Sequence, residues 1–183
     1  MKNILRNLML VVSVCAAAVC AATAATPRVS GNVLKIVESS LDERIKGMWP
    51  DNLFSVIRAT RGLYLEGYGA VFTVDVNPVL STTSMMHPTV TKEEVVKAHK
   101  SRIERVAQLK QAMPLAVADA AASLDPVPPD DQITFVVYLA YHSWEDVTGT
   151  PAQLTFQGKK KALLDAKRAG AAAVVQAVKV TEY

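Results

Sequence analysis

The chain has 183 residues, of which 50% are hydrophobic and 20% charged, with a formal net charge of +3. This length and balance predict one domain with its own core, and they exclude a multidomain assembly or a long disordered tail. Both cysteines, Cys15 and Cys20, precede residue 21, which excludes a disulfide framework or a cysteine-ligated zinc site in the body of the protein.

The N-terminal segment has the three parts of a secretory signal peptide. Lys2 and Arg6 supply a positive start, residues 8–22 carry no charge, and residues 22–24, Ala-Thr-Ala, match the small-residue pattern that signal peptidase cuts. The uncharged segment is short and rich in alanine for a bilayer. A cleaved signal is therefore expected, with no stable membrane span after cleavage.

Cleavage after Ala24 would make residues 1–24 the signal peptide and residues 25–183 a single domain in the periplasm or outside the cell. The 159 residues that remain hold 18 basic against 17 acidic side chains. Nucleic-acid binding depends on a concentrated excess of Lys and Arg, so this balance argues against a nucleic-acid partner.

The mature chain begins with an amphipathic helix. Apolar residues recur every three or four positions over residues 33–45, with charged residues on the other side. Trp49 and Pro50 end the pattern, because a residue before proline is disfavoured in the helical conformation.

A glycine-rich stretch predicts a β-hairpin. Residues 70–76 alternate between apolar and polar side chains, as in a half-buried strand. Gly67 and Gly69 allow a tight turn back to residues 63–65. The alternative is that these glycines let a ligand approach the main chain.

The start of the longest helix is predicted by a capping box. Thr91 can accept from the amide of Glu94, whose side chain can reach back to the Thr91 amide. This assignment places Arg102 on the exposed side, and Pro114 is expected to kink the helix or to start a second one. The apolar stripe of the helix is formed by Val96, His99, Ile103, Val106 and Met113.

The remaining elements complete an α+β domain. Residues 133–142 and 153–156 form a second strand pair, residues 159–168 a short basic helix, and residues 174–183 a closing strand. The predicted fold class is α+β: a mostly antiparallel sheet of about five strands, with one long and two shorter helices packed on it.

Aromatic side chains with a polar tip suit recognition surfaces, and they occur in two places. One group surrounds the glycine-rich turn. The other belongs to the strand predicted at residues 133–142, where His142 is expected to share a strand face with Tyr138 and Trp144. We therefore expect an exported, non-enzymatic domain that binds an envelope protein or a small ligand. The candidate surface residues are Tyr64, Glu66, Tyr68, Phe72, Asp75, Tyr138, His142 and Trp144.

An envelope enzyme is one alternative. It would use carboxylate and histidine side chains for acid–base catalysis, and it requires Asp75, His142 and Glu145 to converge in one pocket. The sequence contains no nucleophile elbow and no glycine-rich phosphate loop, so no cofactor is expected.

A copper-handling protein is the other alternative. Met85, Met86 and His87 are adjacent, and thioethers and imidazole suit monovalent copper. Adjacent methionines more commonly fill a core, which is the competing interpretation of the same residues.

Two segments carry a resemblance to known sequences. Residues 61–72 (RGLYLEGYGAVF) and 178–183 (VKVTEY) resemble a group of uncharacterised exported bacterial proteins that bear signal peptides. The resemblance runs over most of the mature chain. It implies an envelope location and brings no activity, so it assigns no functional residue.

Overall fold

The computed structural model describes residues 29–52, 55–80 and 89–183. The expected signal peptide and the expected copper ligands at residues 85–87 lie outside this part of the chain. Within it, no helix combines the length and the apolar character that crossing a membrane requires.

Five strands form one sheet whose spatial order follows the chain. Every neighbouring pair in this sheet is antiparallel except β2 and β3, which run parallel. A parallel pair needs a long crossover connection, and the longest helix supplies it. The strands are β1 (Val56–Leu65), β2 (Gly69–Val76), β3 (Gln132–Leu139), β4 (Gln153–Lys159) and β5 (Lys179–Glu182).

Four helices occur in the part of the chain that the structure describes. They are α1 (Gly31–Met48), α2 (Lys92–Ser123), α3 (Lys160–Ala169) and α4 (Ala171–Ala177). The predicted α+β class is confirmed, with its mostly antiparallel five-stranded sheet and one long helix. One more short helix is present than predicted.

That extra helix replaces the first part of the predicted closing strand. The expectation of one strand over residues 174–183 is wrong, because three alanines at 171–173 start a helix that buries Val174. Only residues 179–182 remain to pair with β4.

The core lies on one face of the sheet. Leu41 of α1 and Leu109 of α2 join the same apolar cluster as the buried strand residues, so the helices cover this face. The opposite face carries the alternate side chains of each strand. The buried strand residues are Ala70, Phe72, Val74, Val76, Ile133, Phe135, Val137, Leu139, Leu154 and Phe156.

The capping box of α2 is confirmed, and the helix runs as one element through Pro114. The hydroxyl of Thr91 accepts from the Glu94 amide at 3.2 Å, and the Glu94 carboxylate accepts from the Thr91 amide at 2.8 Å. The ring of Pro114 is buried. The packing of this ring offsets part of the free-energy cost of the backbone hydrogen bond that proline cannot donate.

The predicted apolar stripe of α2 is confirmed at Val106 and Met113, which are buried, and is wrong at Val96, Ile103 and Arg102. Val96 is 70% exposed and Ile103 48%, whereas Arg102 is only 1% exposed. The core-facing stripe instead runs through Ala98, Arg102, Val106, Leu109 and Met113. An arginine is ordinarily exposed, and the burial of Arg102 depends on partners at residues 139–150 that local spacing does not reveal.

Two carboxylates of α1 occupy the outer edge of β1. Asp42 accepts from the backbone amide of Thr60 at 2.8 Å and from its hydroxyl at 2.6 Å. Glu38 accepts from the backbone amide of Gly62 at 2.7 Å. A free sheet edge is a template for pairing with another chain, so these contacts block β1 at two of its amides.

Asp119 joins three helices. Its carboxylate binds Arg44 of α1 and lies 2.8 Å from Nζ of Lys167 of α3. Partial burial raises the pKa of Asp119, but the hydrogen bond and charge of Lys167, together with Arg44, lower it more. The pKa therefore lies below its ordinary value.

The lowered pKa of Asp119 predicts a pH-dependent contribution to stability. The contribution should be present above the unfolded pKa of about 3.9 and should be lost as pH falls through the folded pKa. Because the carboxylate is partly exposed, we expect Asp119→Asn to cost about 1 kcal/mol or less at neutral pH. Urea unfolding of both proteins at pH 7 and pH 3 measures the difference. Asp165→Asn, which removes an exposed pair within α3, is the control. A difference that stays constant with pH would contradict the assignment.

Candidate functional site

The uncovered side of the sheet, here called the open face, consists of the residues that alternate with the core set. The register between strands fixes its members, because residues paired across neighbouring strands lie on the same face. The open face comprises Arg58, Arg61, Leu63, Leu65, Val71, Thr73, Asp75, Gln132, Thr134, Val136, Tyr138, Gln153, Thr155, Gln157, Lys159, Lys179 and Thr181.

The centre of the open face is uncharged and rich in hydrogen-bonding groups. Thr73, Val136, Thr155 and Thr181 form one row across four strands. All four side chains are half-buried. Threonine hydroxyls both donate and accept hydrogen bonds, so this row can meet a polar ligand along its length.

Tyr68 extends the open face beyond the strands. Its hydroxyl lies 2.9 Å from Oγ1 of Thr134 and accepts a hydrogen bond from Nε2 of Gln157 at 3.1 Å. The ring is therefore fixed across β3 and β4, and 38% of the residue remains exposed. Fixing an aromatic side chain before binding lowers the entropy that a ligand must overcome.

The hairpin turn that carries Tyr68 depends on two glycines. Gly67 has φ 75° and Gly69 has φ 134°, in the region that side-chain-bearing residues rarely adopt. A Cβ atom at Gly69 would lie 1.9 Å from the carbonyl oxygen of Gln132. The predicted turn is confirmed, and the backbone of Gly69 contacts β3 rather than an open ligand site.

Tyr138 and Asp75 lie opposite each other on β3 and β2. Tyr138 is 44% exposed. Asp75 pairs with Arg58, with 3.1 Å between Oδ2 and Nε. Together with Tyr68, these residues are the predicted candidates that the open face brings together.

The charges of the open face are unequal and lie mainly at its edges. Arg58 and Arg61 lie on β1, Lys159 on β4 and Lys179 on β5, while Asp75 is the one acid among the residues that define the face. The structure gives Arg61, Lys159 and Lys179 no ion pair with any residue that it describes. Within the part of the chain that the structure describes, these three cations are thus available to an anionic group.

Three predicted surface residues around the hairpin lie elsewhere. Phe72 is fully buried, with its ring centroid 5.9 Å from that of Phe135, so its assignment to a surface is wrong. The hydroxyl of Tyr64 donates to Asp131 at 2.8 Å, which raises the pKa of Tyr64. Glu66 is exposed in the turn. The alternation of β2 already put Phe72 on the apolar side.

His142 and Trp144 lie in the loop after β3, because that strand ends at Leu139 rather than at residue 142. Their rings stack in parallel, with 5.5 Å between centroids. The expected shared strand face with Tyr138 is therefore wrong. The carbonyl groups of Leu139 and Ala140 accept from Arg102, which ties the chain to α2 where the strand ends.

A hydrogen bond from Asn77 fixes the neutral tautomer of His142. Oδ1 of Asn77 accepts from the backbone amide of Val79 at 2.9 Å, so its Nδ2 faces the histidine. That Nδ2 lies 3.0 Å from Nε2 of His142. Nε2 therefore accepts, and the neutral ring carries its proton on Nδ1.

Glu145 holds the same loop from the interior of the protein. Its side chain and that of Arg102 are both 1% exposed, with Oε2 3.3 Å from Nη1. Oε1 accepts from the backbone amide of His142 at 2.8 Å. Burial lowers the pKa of Arg102, and Glu145 opposes that shift. Sequence reasoning missed this pair, although Arg102 stands four residues from both Ala98 and Val106 on the buried stripe.

The three residues that an acid–base enzyme would use have other partners. Asp75 is engaged by Arg58 on the open face, and Glu145 by Arg102 in the interior. The ring of His142 is bound by Asn77. Among the residues that the structure describes, no group of three or more His, Cys, Asp or Glu side chains is placed to hold a metal ion.

Comparisons with known proteins assign no relative to this chain. No family model, no curated protein and no solved structure matches it. The resemblance to exported bacterial proteins stays a prediction. The geometry of the open face and of the loop after β3 is the basis for a functional argument.

Proposed function

We propose that the protein is an exported, non-enzymatic binding domain that takes its ligand on the open face. The observation that carries this proposal is the open face itself, where polar side chains, two exposed tyrosines and free cations share one uncovered surface. Tyrosines with an apolar ring and a polar tip suit recognition surfaces.

The open face has a rigid support. The three central strands that carry it, β2, β3 and β4, pack their other side in the apolar core. The ring of Tyr68 is fixed by Thr134 and Gln157. A ligand therefore meets a surface that is already ordered, so binding carries little further entropy cost for ordering these side chains.

Export is supported by the composition of residues 1–24. A basic start, an uncharged segment and a small-residue cleavage pattern together are typical of a secretory signal. We expect the intact mass of the purified extracytoplasmic protein to lack residues 1–24. Recovery of the full-length chain in the cytoplasm would contradict this part of the proposal.

Photocrosslinking tests the open face in cells. A photoreactive phenylalanine analogue is placed at Tyr138, and in a matched control at Val96, which is 70% exposed on α2. We expect an adduct of higher mass from position 138 and none from position 96, because only the first lies on the open face. Adducts of equal yield from both positions, or from position 96 alone, would overturn the proposal.

A further inference from the structure

The open face has the charge pattern of a surface for a polyanion. Among the strand residues that define it, there are four cations, Arg58, Arg61, Lys159 and Lys179, and one side-chain carboxylate, that of Asp75, which is already engaged by Arg58. Opposite charges attract anionic ligands and orient them before contact. The mature chain as a whole is nearly neutral, so this excess is a local property of the face.

The positions of the cations favour an extended ligand. Neighbouring strands lie about 4.8 Å apart, so β1 and β5, at opposite edges of the five-stranded sheet, are separated by about 19 Å. Arg61 lies at one edge of this span and Lys179 at the other. A single small anion cannot reach both, whereas a polymer with repeated acidic groups can lie across the strands.

The middle of this span suits sugars. Between the two edges lie the hydroxyls of Thr73 and Thr155, the carboxamide of Gln157, and the rings of Tyr68 and Tyr138. Hydroxyl and carboxamide groups pair with sugar hydroxyls, and an aromatic ring packs against the C–H face of a sugar.

The sheet edges do not favour a peptide. Proteins commonly take up an extended peptide by pairing it with a free edge strand. At β1, the amides of Thr60 and Gly62 are occupied by Asp42 and Glu38, and β5 offers only four residues. The main-chain contacts that give such peptides their affinity are therefore restricted at both edges.

We infer that the ligand is an acidic polysaccharide whose chain crosses the strands of the open face, with its carboxylates meeting Arg61 and Lys179. This inference rests on the proposed function and names the ligand class for the same face.

Affinity electrophoresis with defined polymers tests the inference. The purified mature protein is run in gels containing polygalacturonate, amylose as a neutral glucan, or polyglutamate as an acidic polypeptide. We expect retardation by polygalacturonate, little by amylose, and weaker retardation by polyglutamate. The variant Arg61→Gln with Lys179→Gln should bind polygalacturonate about tenfold or more weakly, since it loses two charged contacts.

A matched variant separates the open face from net charge. Lys97→Gln with Lys100→Gln removes the same charge from the exposed side of α2 and should leave binding unchanged. Tyr138→Ala should weaken retardation by polygalacturonate more than by polyglutamate, because only a sugar packs on the ring. Thermal unfolding of each variant confirms that it is folded.

Three outcomes would overturn the inference. If polyglutamate binds more tightly than polygalacturonate, and the Arg61 and Lys179 substitutions weaken the binding of polyglutamate, the ligand is an acidic polypeptide. The proposed function then stands. If the Lys97 and Lys100 substitutions weaken binding equally, attraction is nonspecific and the open face loses its support. If no polymer binds, the ligand class is wrong. Crosslinking from position 138 then tests independently whether the open face binds any ligand.

Discussion

Replacement of Arg102 by methionine is expected to lower the free energy of unfolding by about 3–5 kcal/mol, because it leaves a buried carboxylate without its partner. The guanidinium donates to Glu145, to Oγ1 of Thr150 at 3.1 Å, and to the carbonyl groups of Leu139 and Ala140 at 3.1 and 3.0 Å. Methionine fills much of the same volume and makes none of these bonds. Urea unfolding at pH 7 measures the loss.

Arg168→Met is the matched control for this prediction. Arg168 pairs with Asp165 within α3, and its side chain is 77% exposed, so its removal should cost less than about 1 kcal/mol. The double variant Arg102→Met with Glu145→Met should be more stable than Arg102→Met alone, because no unpaired charge remains in the interior. Equal losses for Arg102→Met and Arg168→Met would show that the buried pair contributes nothing special.

The buried pair also controls the loop that carries His142 and Trp144. Glu145 receives the amide of His142, and Nδ1 of His99 lies 2.8 Å from the carbonyl oxygen of Asp146. Loss of Arg102 should therefore increase hydrogen exchange over residues 140–150 before it affects β4. The stability of this loop would then depend on Arg102 of α2 rather than on contacts within the loop.

Replacement of Lys160 by methionine is expected to destabilise the protein by about 3 kcal/mol, because it leaves three carbonyl groups without their donor. Nζ of Lys160 lies 2.7 Å from the carbonyl oxygen of Leu124, 3.1 Å from that of Asp125 and 2.7 Å from that of Val127. The ammonium group thus ties the segment that follows α2 to the first residue of α3.

The adjacent Lys161 provides the control for this prediction. Lys161 is exposed and belongs to the same first turn of α3, so Lys161→Met removes an equal charge at little cost. The two variants are compared by thermal and urea unfolding at pH 7. If they unfold alike, the three carbonyl contacts of Lys160 do not stabilise the fold, and its burial reflects packing alone.

Some elements follow from short segments of sequence. The capping box of Thr91 and Glu94, the turn at Gly67 and Gly69, and the alternation of β2 each depend on residues within a few positions of one another. Their hydrogen bonds and backbone angles are set locally, so spacing alone is enough to predict them.

The candidate site could be predicted only in part. Tyr68, Asp75 and Tyr138 were expected at a surface, and all three belong to or reach the open face. Lys159 and Lys179 were not expected there, because their place on the same face as the residues of β2 and β3 depends on the pairing of β4 with β3 and of β5 with β4. Phe72 was misplaced although the alternation of β2 puts it on the buried side, and His142 was misplaced because β3 ends at Leu139.

The sequence by itself determined the α+β class, the long capped helix, the glycine-dependent hairpin and the composition that favours export. The tertiary structure decided the parallel pairing of β2 with β3, the burial of Arg102 and Lys160, and which side of the sheet stays uncovered. The physical reason is range. Periodicity and caps act within one element, whereas Arg102 finds its partners 37 to 48 residues away and Lys160 finds its own 33 to 36 residues away. Such polar contacts exist only after the chain has folded, and they fix the elements around the open face.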